Sequence, residues 1–194
     1  MPADRVAESV AAYTAHAREY ETAHAMKRLD AVERFARSLP APSLILDVGC
    51  GPGRDLARFT SLGHVARGVE LNPVFAAMAN AHAPTVLHDI RELRDLLPAG
   101  FVDGIWAAAS LVHLSTYETV EVLGQFAQLL RPGGRLHASV SGTGETGWMD
   151  EPDGRRWYTV WPSERFAEAV AAAGFQLDAV RTDIFVEVWG TRER

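Results

Sequence analysis

Apolar residues recur every three or four positions through the first forty residues. Val6, Val10, Tyr13, Ala17 and Tyr20 form one stripe, and Met26, Leu29, Val32 and Phe35 form a second. That spacing predicts helix over 4–38 with a break near His24, stopped by Pro40 and Pro42. From Leu44 the period changes. Short apolar runs at 44–48, 65–69, 85–87, 101–107 and 135–140 alternate with helical stretches at 54–61, 73–82 and 116–130. The 44–48 run is apolar on both faces, as the central strand of a parallel sheet must be. A helix over 162–173 closes at Gly174. Strands at 175–181 and 184–189 then form a tight hairpin through Thr182 and Asp183, so the last strand must run antiparallel. Residues 141–156 are glycine-rich without clear periodicity and read as a long loop, a feature that is often functional in a compact domain.

Alternating strands and helices predict an α/β fold, a single-domain three-layer sandwich around a mainly parallel seven-stranded sheet. Ligands in such folds sit at the carboxyl ends of the strands, near the point where strand order reverses. Composition narrows the partners. The net charge is −6, Lys27 is the sole lysine, and no basic run occurs, which argues against a nucleic-acid partner. A single cysteine, Cys50, excludes an internal disulfide framework and suits a reduced compartment. No signal-like start and no membrane-length apolar run is present, so a cytoplasmic protein off the membrane is expected. The histidines show no metal-ligand spacing, and no metal is expected.

The stretch "LDVGCGPGRD" (46–55) follows the first strand with Gly49, Gly51 and Gly53 at alternate positions. Each glycine has an entropic cost, so either the turn is tight or a ligand lies against the backbone. A dinucleotide G-x-G-x-x-G would need glycine where Arg54 stands. Glu70 ends the second strand, 21 residues after Gly49, where a carboxylate can accept hydrogen bonds from ribose hydroxyls. The D-x-G-x-G-x-G spacing resembles motif I of the class I S-adenosylmethionine-dependent methyltransferases. "LHDIREL" (87–93), "FVDGIWAAASLVHLS" (101–115) and "LLRPGGRLHASV" (129–140) resemble later segments of that family in order, so the resemblance covers about residues 40–190.

The resemblance implies a Rossmann-like domain over 41–194, with residues 1–40 as a helical cap over the cofactor cleft. It implies S-adenosylmethionine as cofactor and Asp47 near its ammonium end. Glu70 would meet the ribose, Asp89 the adenine amino group and Ile90 the ring, with Ala107 and Ala108 as small neighbours. Cys50, Asp55 and Leu71 complete the expected cofactor set beside the three glycines. The segment after the fourth strand lacks an Asn-Pro-Pro-Tyr run and the chain lacks a cysteine pair, which leans toward a small-molecule methyl acceptor.

His113, following the fourth strand, is the candidate base, since imidazole titrates in the useful range. His137, inside the fifth strand, reads as structural. Tyr13 and Tyr20 lie seven apart on one helix face; Tyr20 is expected at the cofactor, and Tyr13 at the substrate or in packing. Trp148, Trp157 and Tyr158 supply either a second aromatic pocket wall or a satellite core. Arg155 and Arg156 suit an acidic substrate or, more simply, surface carboxylates. Two further functions stay open: a nicotinamide-dependent oxidoreductase, and a cofactor-binding module without turnover.

Overall fold

The computed structural model describes residues 4–24, 29–151 and 154–193; Met26 of the second apolar stripe lies outside them. The N-terminal stretch forms three helices, α1 (Arg5–Ala12), α2 (Ala17–His24) and α3 (Leu29–Arg37), rather than one long element broken only near His24. Asp4 caps α1 by accepting from the amides of Val6 and Ala7. The end of α1 has a tertiary cause. The Asn72 side chain donates to Val10 O and to Thr14 Oγ1, both at 3.0 Å. The last turn tightens to Tyr13 N–Val10 O and Thr14 N–Ala11 O bonds, and the helix stops there.

Strand and helix then alternate as the periodicity predicts: β1 (Leu44–Val48), α4 (Arg54–Ser61), β2 (Val65–Glu70), α5 (Pro73–Ala79), β3 (Thr85–Leu87) and β4 (Val102–Ala107). They are followed by α6 (Thr116–Leu129), β5 (Leu130–Ser141), β6 (Gly147–Glu151), β7 (Gly154–Tyr158), α7 (Ser163–Ala172), β8 (Phe175–Thr182) and β9 (Phe185–Arg192). Asn72 caps α5 with Pro73 in its first turn, and Ser115 with Glu118 forms a capping box on α6. The Arg131–Gly134 turn bulges out of β5, where the register with β4 slips between Val102 and Gly104.

Seven strands form one sheet in the order β3-β2-β1-β4-β5-β9-β8, parallel from β3 to β5, with β9 antiparallel to both its neighbours. Alternate residues of β1 face opposite layers. Ile45 joins Phe35, Leu56, Phe59 and Trp106 under α3 and α4, whereas Leu46 and Val48 join Leu123, Phe126 and Phe166 under α6 and α7. The result is a Rossmann-like three-layer sandwich. His137 is fully buried and stacked on Trp106 at 4.0 Å.

The 141–156 stretch departs from a plain loop. β6 and β7 pair antiparallel as a separate hairpin, and β7 packs along α1, where the Trp157 amide donates to Ser9 Oγ at 2.8 Å. Its outward alternation is masked in sequence by aromatic residues on both faces. Among the described residues no helix is long and apolar enough to cross a membrane.

Candidate active site

The chain runs from β1 outward to β2 and β3, then returns to β4 on the other side of β1. The strand order reverses there, and the carboxyl ends of β1, β2 and β4 bring together Asp47, Glu70 and Ala107–Ser110. Gly49, Gly51 and Gly53 all have positive φ, at 69°, 55° and 94°. A Cβ on Gly49 would stand 2.3 Å from Ser110 Cβ, so the turn must pass close to the β4 end. Gly51 has nothing within 4 Å of its Cβ position. One glycine answers a packing constraint, and the other leaves open space.

Two adjoining cavities share this turn. One, of about 230 Å³, is bounded by Asp47, Cys50, Arg54, Asp55, Ala108 and Tyr20. The other, of about 90 Å³, is bounded by Glu70, Leu71, Phe75, Ile90, His113 and Tyr13; Tyr20, Gly49, Gly51 and Ala109 line both. Asp47 is 3% exposed, and its Oδ2 has no hydrogen-bond partner among the described residues. Burial, and then the neighbouring Asp55 charge, hold its carboxyl well above the usual carboxylate range. Glu70 is differently placed: Oε2 accepts from the Gly51 amide and Oε1 from the Asn72 amide, both at 2.8 Å. Burial still raises its pKa against these bonds.

Other expected residues have structural partners. Asp55 accepts from Arg54 Nε at 2.6 Å and from Trp106 Nε1 at 2.8 Å, so it braces the turn while lining the first cavity. Asp89 lines neither cavity; it caps the 3-10 helix Ile90–Asp95 and receives Arg91 Nη2 at 2.6 Å. Burial pushes the Cys50 thiol up, so it stays protonated beside the turn. Ala107 is fully buried beneath Ala108. Among the described residues no cluster of three or more His, Cys, Asp or Glu is placed to hold a metal ion.

The histidine site is specific about its proton. His113 Nδ1 lies 2.6 Å from Trp157 O, and Nε2 lies 3.1 Å from Tyr13 Oη. A carbonyl only accepts, so Nδ1 carries the ring hydrogen and Nε2 accepts from the Tyr13 hydroxyl. Burial lowers the His113 pKa to about 4, with the Arg156 charge adding to it against the Trp157 bond. Tyr13 and Tyr20 meet edge to face at 5.2 Å, and Tyr20 stacks on His24 at 4.0 Å. A third cavity, of about 580 Å³, opens beside them and is lined by Tyr13, Tyr20, Val112, Arg156, Tyr158 and Phe185. Trp148 and Trp157 line none of the three; they pack edge to face on each other at 5.8 Å.

Several lining residues escaped the sequence reading. Ala109 borders all three cavities with φ 56°, rare for a residue with a Cβ, and its amide is fixed by Ser139 Oγ at 2.8 Å. Ser110 Oγ is buried without a partner among the described residues at the edge of the second cavity. Arg54, the residue that broke the dinucleotide pattern, donates to His24 O at 2.7 Å and so ties α2 to the glycine turn. An alanine at positive φ after a strand carries no sequence signal.

Residues 45–134 match the family described as a methyltransferase domain. This chain matches that family over its central part alone, less than half of its length. It is 31% identical over 147 residues to the trans-aconitate 2-methyltransferase of Methylobacterium radiotolerans, covering 74% of this chain and 50% of that protein. The chain spans about half the length of the curated relatives it matches. The chain's fold also aligns with the 1,6-didemethyltoxoflavin-N1-methyltransferase of Burkholderia thailandensis, solved with bound 1,6-didemethyltoxoflavin and S-adenosylhomocysteine. That alignment has TM-score 0.79 and 22% identity, over 100% of this chain and 91% of that one. A solved cyclase aligns too, with TM-score 0.70 and 18% identity over 85% of this chain and 80% of its own, so the fold alone does not fix the reaction.

Proposed function

We propose that this domain binds S-adenosylmethionine across the two cavities at the glycine turn and passes its methyl group to a small molecule. The observation that carries the reading is the pairing of two unlike carboxylates around one open turn. Asp47 offers a buried oxygen without a partner, which an ammonium group would satisfy. Glu70, fixed by two amides, keeps oxygen lone pairs for ribose hydroxyls. The space at Gly51 admits a cofactor against the backbone, and Leu71 and Ile90 offer apolar contacts to a purine. Asp89 would have to exchange one of its Arg91 contacts to reach an adenine amino group.

When bound, the cofactor supplies an activated sulfonium methyl for in-line displacement. The protein's part is alignment, exclusion of water and handling of one proton. Of the expected 1–40 cap, α1 and α2 take that role, while α3 packs into the core against Ile45 and Trp106; α1 is held over the cleft by Arg91–Asp4 at 2.7 Å, Arg5–Glu118 at 2.9 Å and Arg155–Glu8 at 2.5 Å. A hydroxyl acceptor at Tyr13 gives its proton to Tyr13 Oη while the Tyr13 proton moves to His113 Nε2. His113 is thus the terminal base and Tyr13 the group that touches the acceptor. A methyl-acceptor screen with the methyl-labelled cofactor tests the proposal. Label transferred to a small molecule supports it, and a cofactor that binds but is never turned over leaves the non-catalytic module instead.

A further inference from the structure

We infer that the acceptor is an uncharged aromatic compound methylated on a ring hydroxyl, its ring held in the cavity beside Tyr13. The inference rests on the methyl-transfer reading above and names the chemical class that reading leaves open. The cavity, of about 580 Å³, has the size of a small-molecule site. Its buried and half-buried wall is rich in rings: Tyr13, Tyr20, Tyr158 and Phe185, with Val112 and Ala109 beside them. A flat apolar body packs on such rings by stacking or edge to face. Tyr20, Ala109 and Phe185 border the cofactor cleft as well, so a ring held here lies against that cleft.

The charges deep in this wall balance each other. Arg156 of β7 pairs with Glu151 of β6 at 3.9 Å, and its guanidinium carbon lies 3.9 Å from the Tyr13 ring centroid. His16 and Glu19 also border the space but are exposed, where solvent screens them. A charged molecule would shed its hydration here and would have to break the Arg156–Glu151 pair to gain a partner, whereas a neutral ring sheds little. The proton path then selects the hydroxyl. His113 Nδ1 is committed to Trp157 O, which leaves Nε2, behind Tyr13, to take the proton. Burial lowers the His113 pKa to about 4, and burial, with Tyr158 and Tyr20 nearby, raises that of Tyr13 well above its ordinary value. So weak a terminal base suits a hydroxyl that releases its proton readily, as a phenol does at a pKa of about 10 and an alkyl alcohol does not. As the phenolic oxygen bonds to the methyl carbon, the carbon–sulfur bond breaks with its electron pair left on sulfur. The phenolic proton passes to Tyr13 Oη and the Tyr13 proton to His113 Nε2. The products are an aryl methyl ether, S-adenosylhomocysteine and a protonated imidazole, which returns its proton to solvent.

The test uses the full chain, loaded with S-adenosylhomocysteine for calorimetry and with methyl-labelled S-adenosylmethionine for turnover. The probes are catechol, 4-hydroxybenzamide and 2-naphthol, each against its saturated-ring counterpart, with 4-hydroxybenzoate and tyramine as charged phenols. At least one neutral phenol is expected to bind tenfold or more tighter than its saturated counterpart and than either charged phenol, and to receive the label on oxygen. Tyr158 borders this cavity but neither part of the cofactor cleft. Tyr158→Leu should therefore cut the preference to threefold or less, and Tyr158→Phe should keep it, with S-adenosylhomocysteine affinity unchanged in both. The inference is overturned if no neutral phenol binds, if a saturated or charged probe binds as well, if the label lands on nitrogen or carbon, or if the preference survives Tyr158→Leu. Should Tyr158→Leu fail to fold, the wild-type comparison and the position of the label decide alone. A wild-type chain that takes up no S-adenosylhomocysteine strikes the methyl-transfer reading, and this inference with it.

Discussion

Asp47→Asn separates a ligand-binding carboxylate from a structural one, because the two roles predict opposite signs. Asp47 is buried at the end of β1, Oδ2 lacks a partner among the described residues, and burial plus Asp55 raise its pKa. A carboxyl raised in the folded state holds its proton more tightly there than in the unfolded chain. Its ionisation therefore subtracts stability as pH rises from the unfolded value through the folded one, and the loss persists at neutral pH. The Asn variant removes that loss, so the free protein should melt at or above the wild-type temperature at pH 7. Binding should move the other way. Loss of one charge-assisted contact to an ammonium group is worth about 2 kcal/mol, or about 30-fold in Kd for S-adenosylhomocysteine. Thermal unfolding and calorimetry on the same preparation read both numbers. A variant that melts well below wild type yet binds S-adenosylhomocysteine with unchanged affinity would refute the reasoning.

Gly51→Ala should fold, with about 1 kcal/mol lost to its positive φ, and still lose S-adenosylhomocysteine binding because its Cβ enters the open turn; normal binding by calorimetry counts against a cofactor there. Gly49→Ala, placed 2.3 Å from Ser110 Cβ, should lower Tm much further than Gly51→Ala, and equal Tm values would contradict the packing argument. Tyr13→Phe should cut kcat with a hydroxyl acceptor by about 100-fold while leaving cofactor affinity near wild type, and an unchanged kcat removes Tyr13 from the proton path. His113 has a folded pKa lowered to about 4 from 6.5, so the unfolded chain binds the extra proton first and stability falls as pH drops from 6.5 toward 4. The full effect is about 3 kcal/mol, and His113→Gln should flatten that part of the Tm–pH curve.

Much of the sheet was legible because its strands are short apolar runs punctuated by glycine and proline, and because Asp47, Glu70 and the three glycines fall at strand ends. Local pattern could not show what tertiary contacts decide. The Tyr13 stripe continues through 13–16, yet Asn72 from another element takes the Val10 carbonyl and ends α1. The glycines of 141–156 suggested a loop, whereas pairing across 147–158 makes a hairpin. Charge gave equally little direction. Arg155 and Arg156 look alike in sequence, and only strand alternation against α1 separates the exposed Arg155–Glu8 pair from the buried Arg156, which pairs with Glu151. Asp89 fits its motif by position, but Arg91 two residues later claims its carboxylate. Ala109 and Ser110 became visible only through backbone conformation and an unpaired hydroxyl.

The most direct test of the account is calorimetry of the unmodified chain with S-adenosylmethionine, S-adenosylhomocysteine and NAD side by side. Both sulfur ligands are expected to bind at one site and to compete with each other, with no heat from NAD. Binding of NAD together with neither sulfur ligand would contradict the central claim.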